Sequence, residues 1–188
     1  MKIHVAHASL PKLGETVNGD IPFHRTDEAG RSLIAVIDGL GHGPEAQAAS
    51  LAGIRYLEKV SLAIPFDELM AGLHNGMRGT RGAAGTVCTL TDDELVACSV
   101  GNVELRSVHA EIPLLSSAGI LGVRVQKFRI CRARLKSACR LVLFSDGLTN
   151  PTGISESLTL SPQIACDNLL NRHRRTYDDA TVLIADVD

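Results

Sequence analysis

The sequence predicts an α+β protein whose strands form largely antiparallel sheets with helices packed outside. Helical periodicity is confined to two places, around residues 42–77 and 161–174. Between them the pattern shortens to strands joined by Gly, Asp or polar turns, and such short connections favour antiparallel neighbours over a doubly wound nucleotide fold.

Each element has a local reason. Alternation through IHVAH (3–7) predicts a first strand, and SLIAVID (32–38) reads as a buried one. A helix follows from about His42 to Val60. Pro44 suits its first turn, Glu45 favours its N-terminus, and Ala46, Ala49, Ala52-Gly53 and Leu57 trace a face of small residues. A second helix fits FDELMAGLHNGM (66–77), with Asp67 in its first turn. Segments 83–90, 93–100, 103–109, 125–135 and 139–145 then read as strands. A last helix fits 161–174, capped by Ser161 with Pro162 at its first position, and the chain closes on the strand TVLIADV (181–187).

The 188 residues make one domain the simplest reading, large enough for a real core. A net charge of −2 gives no nucleic-acid or anionic-membrane footprint. The one basic cluster, Arg172-His173-Arg174-Arg175, reads as cations on the last turn of a helix. No apolar run approaches the roughly 18 residues of a membrane span, and MKIHVAHASL lacks a signal-peptide layout. The expectation is a soluble, cytoplasmic protein. The five cysteines (Cys88, Cys98, Cys131, Cys139, Cys166) lie in apolar segments without C-x-x-C spacing, which points to reduced core thiols.

The chemistry sits in three segments: AVIDGLGHG (35–43), LVLFSDGLTN (141–150) and DDATVLIADV (178–187). Two apolar runs each deliver an aspartate, Asp38 or Asp146, into a glycine turn, and the third is preceded by Asp178-Asp179. Carboxylates beside buried strands are costly unless paired, and hard divalent cations are the usual partner. Glycine after Asp38 and Asp146 permits a sharp turn and leaves a carbonyl accessible. GLGHGPEA lacks the third glycine of a dinucleotide fingerprint, because Pro44 stands there, and no phosphate-binding G-x-x-x-x-G-K-[ST] occurs.

DGLGHG (38–43), SDGL (145–148) and DDATV (178–182), in that order, resemble the metal-dependent type 2C (PPM) serine/threonine protein phosphatases, with the SpoIIE branch most similar. GAAGTV (82–87) and SVGNVELR (99–106) resemble the family's glycine-threonine strand and Gly-Asn turn, and Gly19-Asp20 fits its first acidic position. Within the branch, RGAA (81–84), SVGNV (99–103) and the closeness of Asp20 to the N-terminus resemble the stand-alone stressosome phosphatases of the RsbX kind.

The resemblance implies an α-β-β-α sandwich, a single phosphatase domain over residues 1–188, and no separate regulatory domain. It implies two Mn²⁺ or Mg²⁺ ions, one held by Asp146 and Asp178, the other by Asp20 and the Gly39 carbonyl, with Asp38 bridging them. A metal-activated water would attack the phosphorus without a covalent intermediate. Asp179 stands where many relatives have Asn and would either support the ligands from behind or itself be the ligand in place of the preferred Asp178. Eukaryotic-type relatives carry a histidine general acid where this chain has Leu40, and His42, two residues on, is the candidate for that role. Asn102 reads as a turn residue. Implied partners are phosphorylated STAS-domain proteins, either a stressosome scaffold or sensor or, alternatively, an anti-anti-sigma factor whose dephosphorylation releases a sigma factor. A catalytically silent binding module of the same fold is the other alternative. An ATP-binding anti-sigma kinase would need an Asn-containing helix before its Asp-Gly box, and the segment before Asp38 is strand-like.

Overall fold

The computed structural model describes residues 2–135, 138–149, 154 and 159–188. Strands are numbered in chain order. One four-stranded sheet runs β1 (Ile3–Leu10), β11 (Ala180–Val187), β10 (Cys139–Phe144), β6 (Glu104–Val108). A five-stranded sheet runs β2 (Asp20–Thr26), β3 (Ser32–Gly39), β4 (Ala83–Thr91), β5 (Glu94–Val100), β9 (Ile130–Arg134), and β7 (Gly119–Ile120) and β8 (Arg124–Val125) form a short ribbon. Every pairing within them is antiparallel.

The central strands read as continuous apolar runs because both of their faces are buried. In β3, Leu33, Ala35 and Ile37 pack under α1 (Pro44–Lys59) and α2 (Phe66–Gly76), while Ile34 and Val36 face the other sheet. In β10, Leu141 and Leu143 meet them from that sheet, while Val142 and Phe144 turn outward onto α3 (Pro162–His173). Strand β11 repeats the division, Leu183 and Ala185 inward, Val182 and Ile184 outward. The layers are therefore helix, sheet, sheet, helix. Each fully buried leucine or isoleucine contributes roughly 1.5–3 kcal/mol against exposure.

Some boundaries differ from the sequence-based expectations, each for a local reason. The helix after Asp38 starts at Pro44, because Gly41 and Gly43 hold left-handed φ values of 85° and 77° that keep the intervening loop out of the helix. Ser161 occupies the N-cap of α3 but makes no side-chain capping bond. Segment 125–135 is not one strand, since β8 ends at Val125 and the Arg129 amide turns to the Ser117 hydroxyl at 2.8 Å. Strand β2 was not expected at all. The five cysteines are free and buried. Among the described residues, no helix is long and apolar enough to cross a membrane.

Candidate metal centre

The period-2 alternation that builds the core also aims the acidic residues. Ile34 and Val36 face between the sheets, so Asp38, two residues further, faces the same way. Asp20 is its register partner across β2–β3, which puts the two carboxylates on one face. In the opposite sheet Leu141 and Leu143 lead to Ser145, whose hydroxyl donates to Asp20 Oδ2 at 2.6 Å and accepts the Thr181 amide at 3.0 Å. Asp146 comes next, and Asp178-Asp179 precedes β11 on the adjoining strand. Four strand ends thus meet at one open end of the sandwich.

The carboxylates are close enough to act on one another's charge. Burial, then the charges of Asp20, Asp146 and Asp178, push the Asp38 carboxyl up to about 9. Burial likewise raises Asp20 to about 7, with the charge of Asp179 adding to it and the Ser145 hydrogen bond opposing it. The hydrogen bond between Asp20 and Asp38 lowers Asp20 and raises Asp38. Asp178 is raised by burial and by Asp146. Such a cluster is starved of positive charge, and a cation is what these groups fit. Among the described residues, no three His, Cys, Asp or Glu side chains close into a ready-made cage.

The two adjacent aspartates divide their work. Asp179 is buried and accepts the Lys12 and Gly19 amides at 2.8 and 2.9 Å, one on each oxygen, so it pins the β1–β2 connection. Asp178 is half-buried and one of its oxygens accepts the Asp179 amide at 3.0 Å. Asp178 is the better placed of the two to meet a cation.

Gly39 and Gly147 are required by close approach rather than by a left-handed turn, for neither has positive φ. A Cβ on Gly39 would lie 2.0 Å from the Ala46 carbonyl oxygen, and one on Gly147 would lie 1.8 Å from that of Asp179. The glycines let α1 and the start of β11 press against the aspartates.

His42 is exposed. Its Nδ1 lies 2.7 Å from Glu15 Oε1 and its Nε2 lies 2.9 Å from Lys12 Nζ. An ammonium has donors only, so Nε2 accepts from Lys12 and Nδ1–H donates to Glu15. Lys12 in turn places its charge where it acts on Asp178.

Several contributors were not legible as site residues. Ser145 lies inside the SDGL motif, yet nothing there marks it as a partner of Asp20. Asn102 does sit in a turn, yet its Nδ2 donates to Asp146 Oδ2 at 2.6 Å. Arg175, read as a helix-end cation, lies beyond α3 and donates from Nη1 to the Asp146 carbonyl at 3.0 Å. Nothing local in the sequence marks Lys12 or Glu15, which meet His42 only through the fold.

A family model for stage II sporulation protein E (SpoIIE) matches residues 28–188. No curated protein matches the sequence. A structure from work on the bacterial stressosome, as a modular system adapted to control secondary messenger signaling, is 26% identical with a TM-score of 0.89, covering 98% of this chain and 100% of that one. RsbX in complex with magnesium is 25% identical with a TM-score of 0.84, over 99% of this chain and 96% of that one. The catalytic domain of the serine/threonine phosphatase PstP with two manganese ions shares the fold at 18% identity and a TM-score of 0.76, over 99% of both chains. With its two antiparallel sheets between helices and its carboxylates gathered at one end of them, the chain belongs to the SpoIIE family of PPM-type protein phosphatases.

Proposed function

We propose that this protein is a metal-dependent phosphatase that removes phosphate from serine or threonine on a STAS-domain stress-signalling partner. The observation that carries the reading is the register pairing of Asp20 with Asp38, facing Asp146 and Asp178 from the other sheet. In this reading Asp20, Asp38, Asp146, Asp178 and the Gly39 carbonyl would hold two Mn²⁺ or Mg²⁺ ions. Bound divalent ions would supply an activated water nucleophile and neutralise phosphoryl oxygens.

The chain's own residues arrange the rest. Asp179 and Ser145 fix the backbone and the carboxylate orientation from behind. Asn102 holds the Asp146 carboxylate from the side. Lys12 adds positive charge at the Asp178 edge, where a phosphate would arrive. His42, bonded to both Glu15 and Lys12, holds that lysine in place. The partner class rests on likeness to RsbX and to the stressosome structure.

The test is turnover of p-nitrophenyl phosphate and of a phosphorylated STAS-domain protein, with Mn²⁺ or with EDTA. Both should turn over with Mn²⁺ only, and Asp38→Asn should cost on the order of 10²–10³ in kcat, as loss of a preorganised charge does. Metal binding without turnover of either substrate would favour a silent binding module. Turnover of the small ester alone would remove the partner assignment.

A further inference from the structure

We propose that the β7–β8 ribbon and the end of α2 form a basic docking surface, centred on Arg78 and Arg124, for acidic residues that flank the phosphorylated serine or threonine of a protein substrate. The proposal rests on the phosphatase reading and adds to it a charge preference.

Positive charge is concentrated in this part of the chain. Residues 112–145 carry seven of the 19 Lys and Arg and none of the 21 Asp and Glu, with no two of those cations adjacent. Three of the seven are committed elsewhere: Arg132 pairs with Glu94, Arg134 with Asp93 and Arg140 with Asp186. Arg124, on the ribbon, is exposed and pairs with no acidic side chain among the described residues. The same holds for Arg78, just beyond α2.

Close backbone packing brings the two arginines together. A Cβ on Gly122, at the turn of the ribbon, would lie 2.7 Å from the Met77 carbonyl oxygen, and the Gly122 amide donates to His74 Nδ1 at 3.1 Å. Arg78 follows Met77 and its charge acts on His74, while Arg124 lies two residues beyond Gly122. The surface also adjoins the metal centre. Val125 packs into the core beneath the helices, so alternation turns Arg124 outward with its cross-strand partner Ile120. A Cβ on Gly82 would meet the Ile120 and Val123 side chains at 2.6 and 2.8 Å. The Gly82 carbonyl accepts the Leu40 amide at 3.0 Å, and Leu40 follows Asp38-Gly39.

Charge selects the occupant. A helix C-terminus attracts cations, which accounts for Arg78 beyond α2 but not for Arg124 on a strand. Arg81, beside Gly82, is already paired with Glu45 in the first turn of α1, so the two outer arginines are the ones left open. Open cations next to a catalytic centre favour an acidic segment and repel a basic one. A small phosphate ester has no flanking residues and reaches the centre without them.

Two phosphoserine peptides of equal length test this, one with glutamates flanking the phosphoserine and one with glutamines, assayed with Mn²⁺ beside p-nitrophenyl phosphate. At low salt the wild type should favour the glutamate peptide by about 5-fold in kcat/KM, carried by KM, the scale of two exposed charge pairs. Screening at about 0.5 M salt should shrink that to below about 2-fold. Arg78→Gln/Arg124→Gln should abolish the preference and Arg78→Glu/Arg124→Glu should reverse it, while p-nitrophenyl phosphate turnover and the thermal midpoint hold. Arg55→Glu/Arg132→Glu, the same change in net charge placed on α1 and β9, should keep it. Equal use of both peptides by the wild type, a preference that survives the glutamine pair, or one lost as fully in the control pair overturns the surface. Reversals that leave the peptide preference alone but abolish sedimentation with phosphatidylserine vesicles give the patch to a membrane and also overturn it. Absence of p-nitrophenyl phosphate turnover in the wild type would instead sink the phosphatase reading, and the two failures are thereby separable.

Discussion

A carboxyl group pushed up to about 9 by burial and by three neighbouring aspartates holds its proton at neutral pH when no cation is present. The unfolded chain, titrating near 3.8, has released that proton well below pH 7. The folded state therefore binds more protons from about pH 4 upward, through about 7 for Asp20 and about 9 for Asp38, and stability falls as pH rises through that window. Urea melts of EDTA-treated protein should show a midpoint that drops between pH 5 and 9. Asp38→Asn should flatten the upper part of that decline, and a midpoint rising with pH would contradict the buried cluster. A second residue-scale expectation concerns His42. Removal of a general acid costs about 10²–10⁴ in rate, whereas loss of a residue that only steadies Lys12 costs less. His42→Ala should lower kcat/KM by about 10-fold or less and leave the alkaline limb of the pH–rate profile in place. Loss of that limb would make His42 the proton donor.

At the scale of elements, the contact between β3 and α1 admits no side chain at Gly39. A methyl group 2.0 Å from the Ala46 carbonyl oxygen must move the helix or the strand end that bears Asp38. Overpacking costs typically 1–3 kcal/mol, and backbone on both sides puts Gly39→Ala near about 3 kcal/mol. Urea denaturation would measure it, and a loss below about 0.5 kcal/mol would mean that the two elements are not locked. By contrast Leu141→Ala, in the middle of the inter-sheet core, should cost about 2–5 kcal/mol through its cavity. The same packing explains what the sequence disclosed. Strands β3, β10 and β11 were legible because burial on both faces makes them unbroken apolar runs. The helices were legible from Pro44, Pro162 and their spacing. Strand β2 was not, because DIPFHRT is an edge strand with Pro22 inside it, half polar, and defined only by its pairing with β3.

For the molecule as a whole, local pattern shows each aspartate at a strand edge but not which edges meet. That depends on β11 lying between β1 and β10 and on the two sheets stacking, pairings that span most of the chain. The ordered motifs carried Asp20, Asp38, Asp146 and Asp178 through resemblance; Ser145, Asn102 and Lys12 join them only in three dimensions. A centre assembled this way links metal binding to the stability of both sheets. Ions that bind only the folded state add about 2.7 kcal/mol at a hundredfold excess over Kd. For a chain of this length that is a rise in Tm of roughly 5–10 °C, at about 2–4 °C per kcal/mol. On the proposed ligand set, binding displaces protons from Asp38 and Asp20, since only ionised carboxylates are ligands. With those groups near 9 and 7, roughly one to two protons should leave per centre filled at pH 7, and fewer as the pH approaches 9. Calorimetric titration with Mn²⁺ in two buffers of different ionisation heat counts them. Asp38→Asn should release about one proton fewer. An Mn²⁺ titration that stabilises the protein but releases none at pH 7 would place the ion somewhere other than between the two sheets.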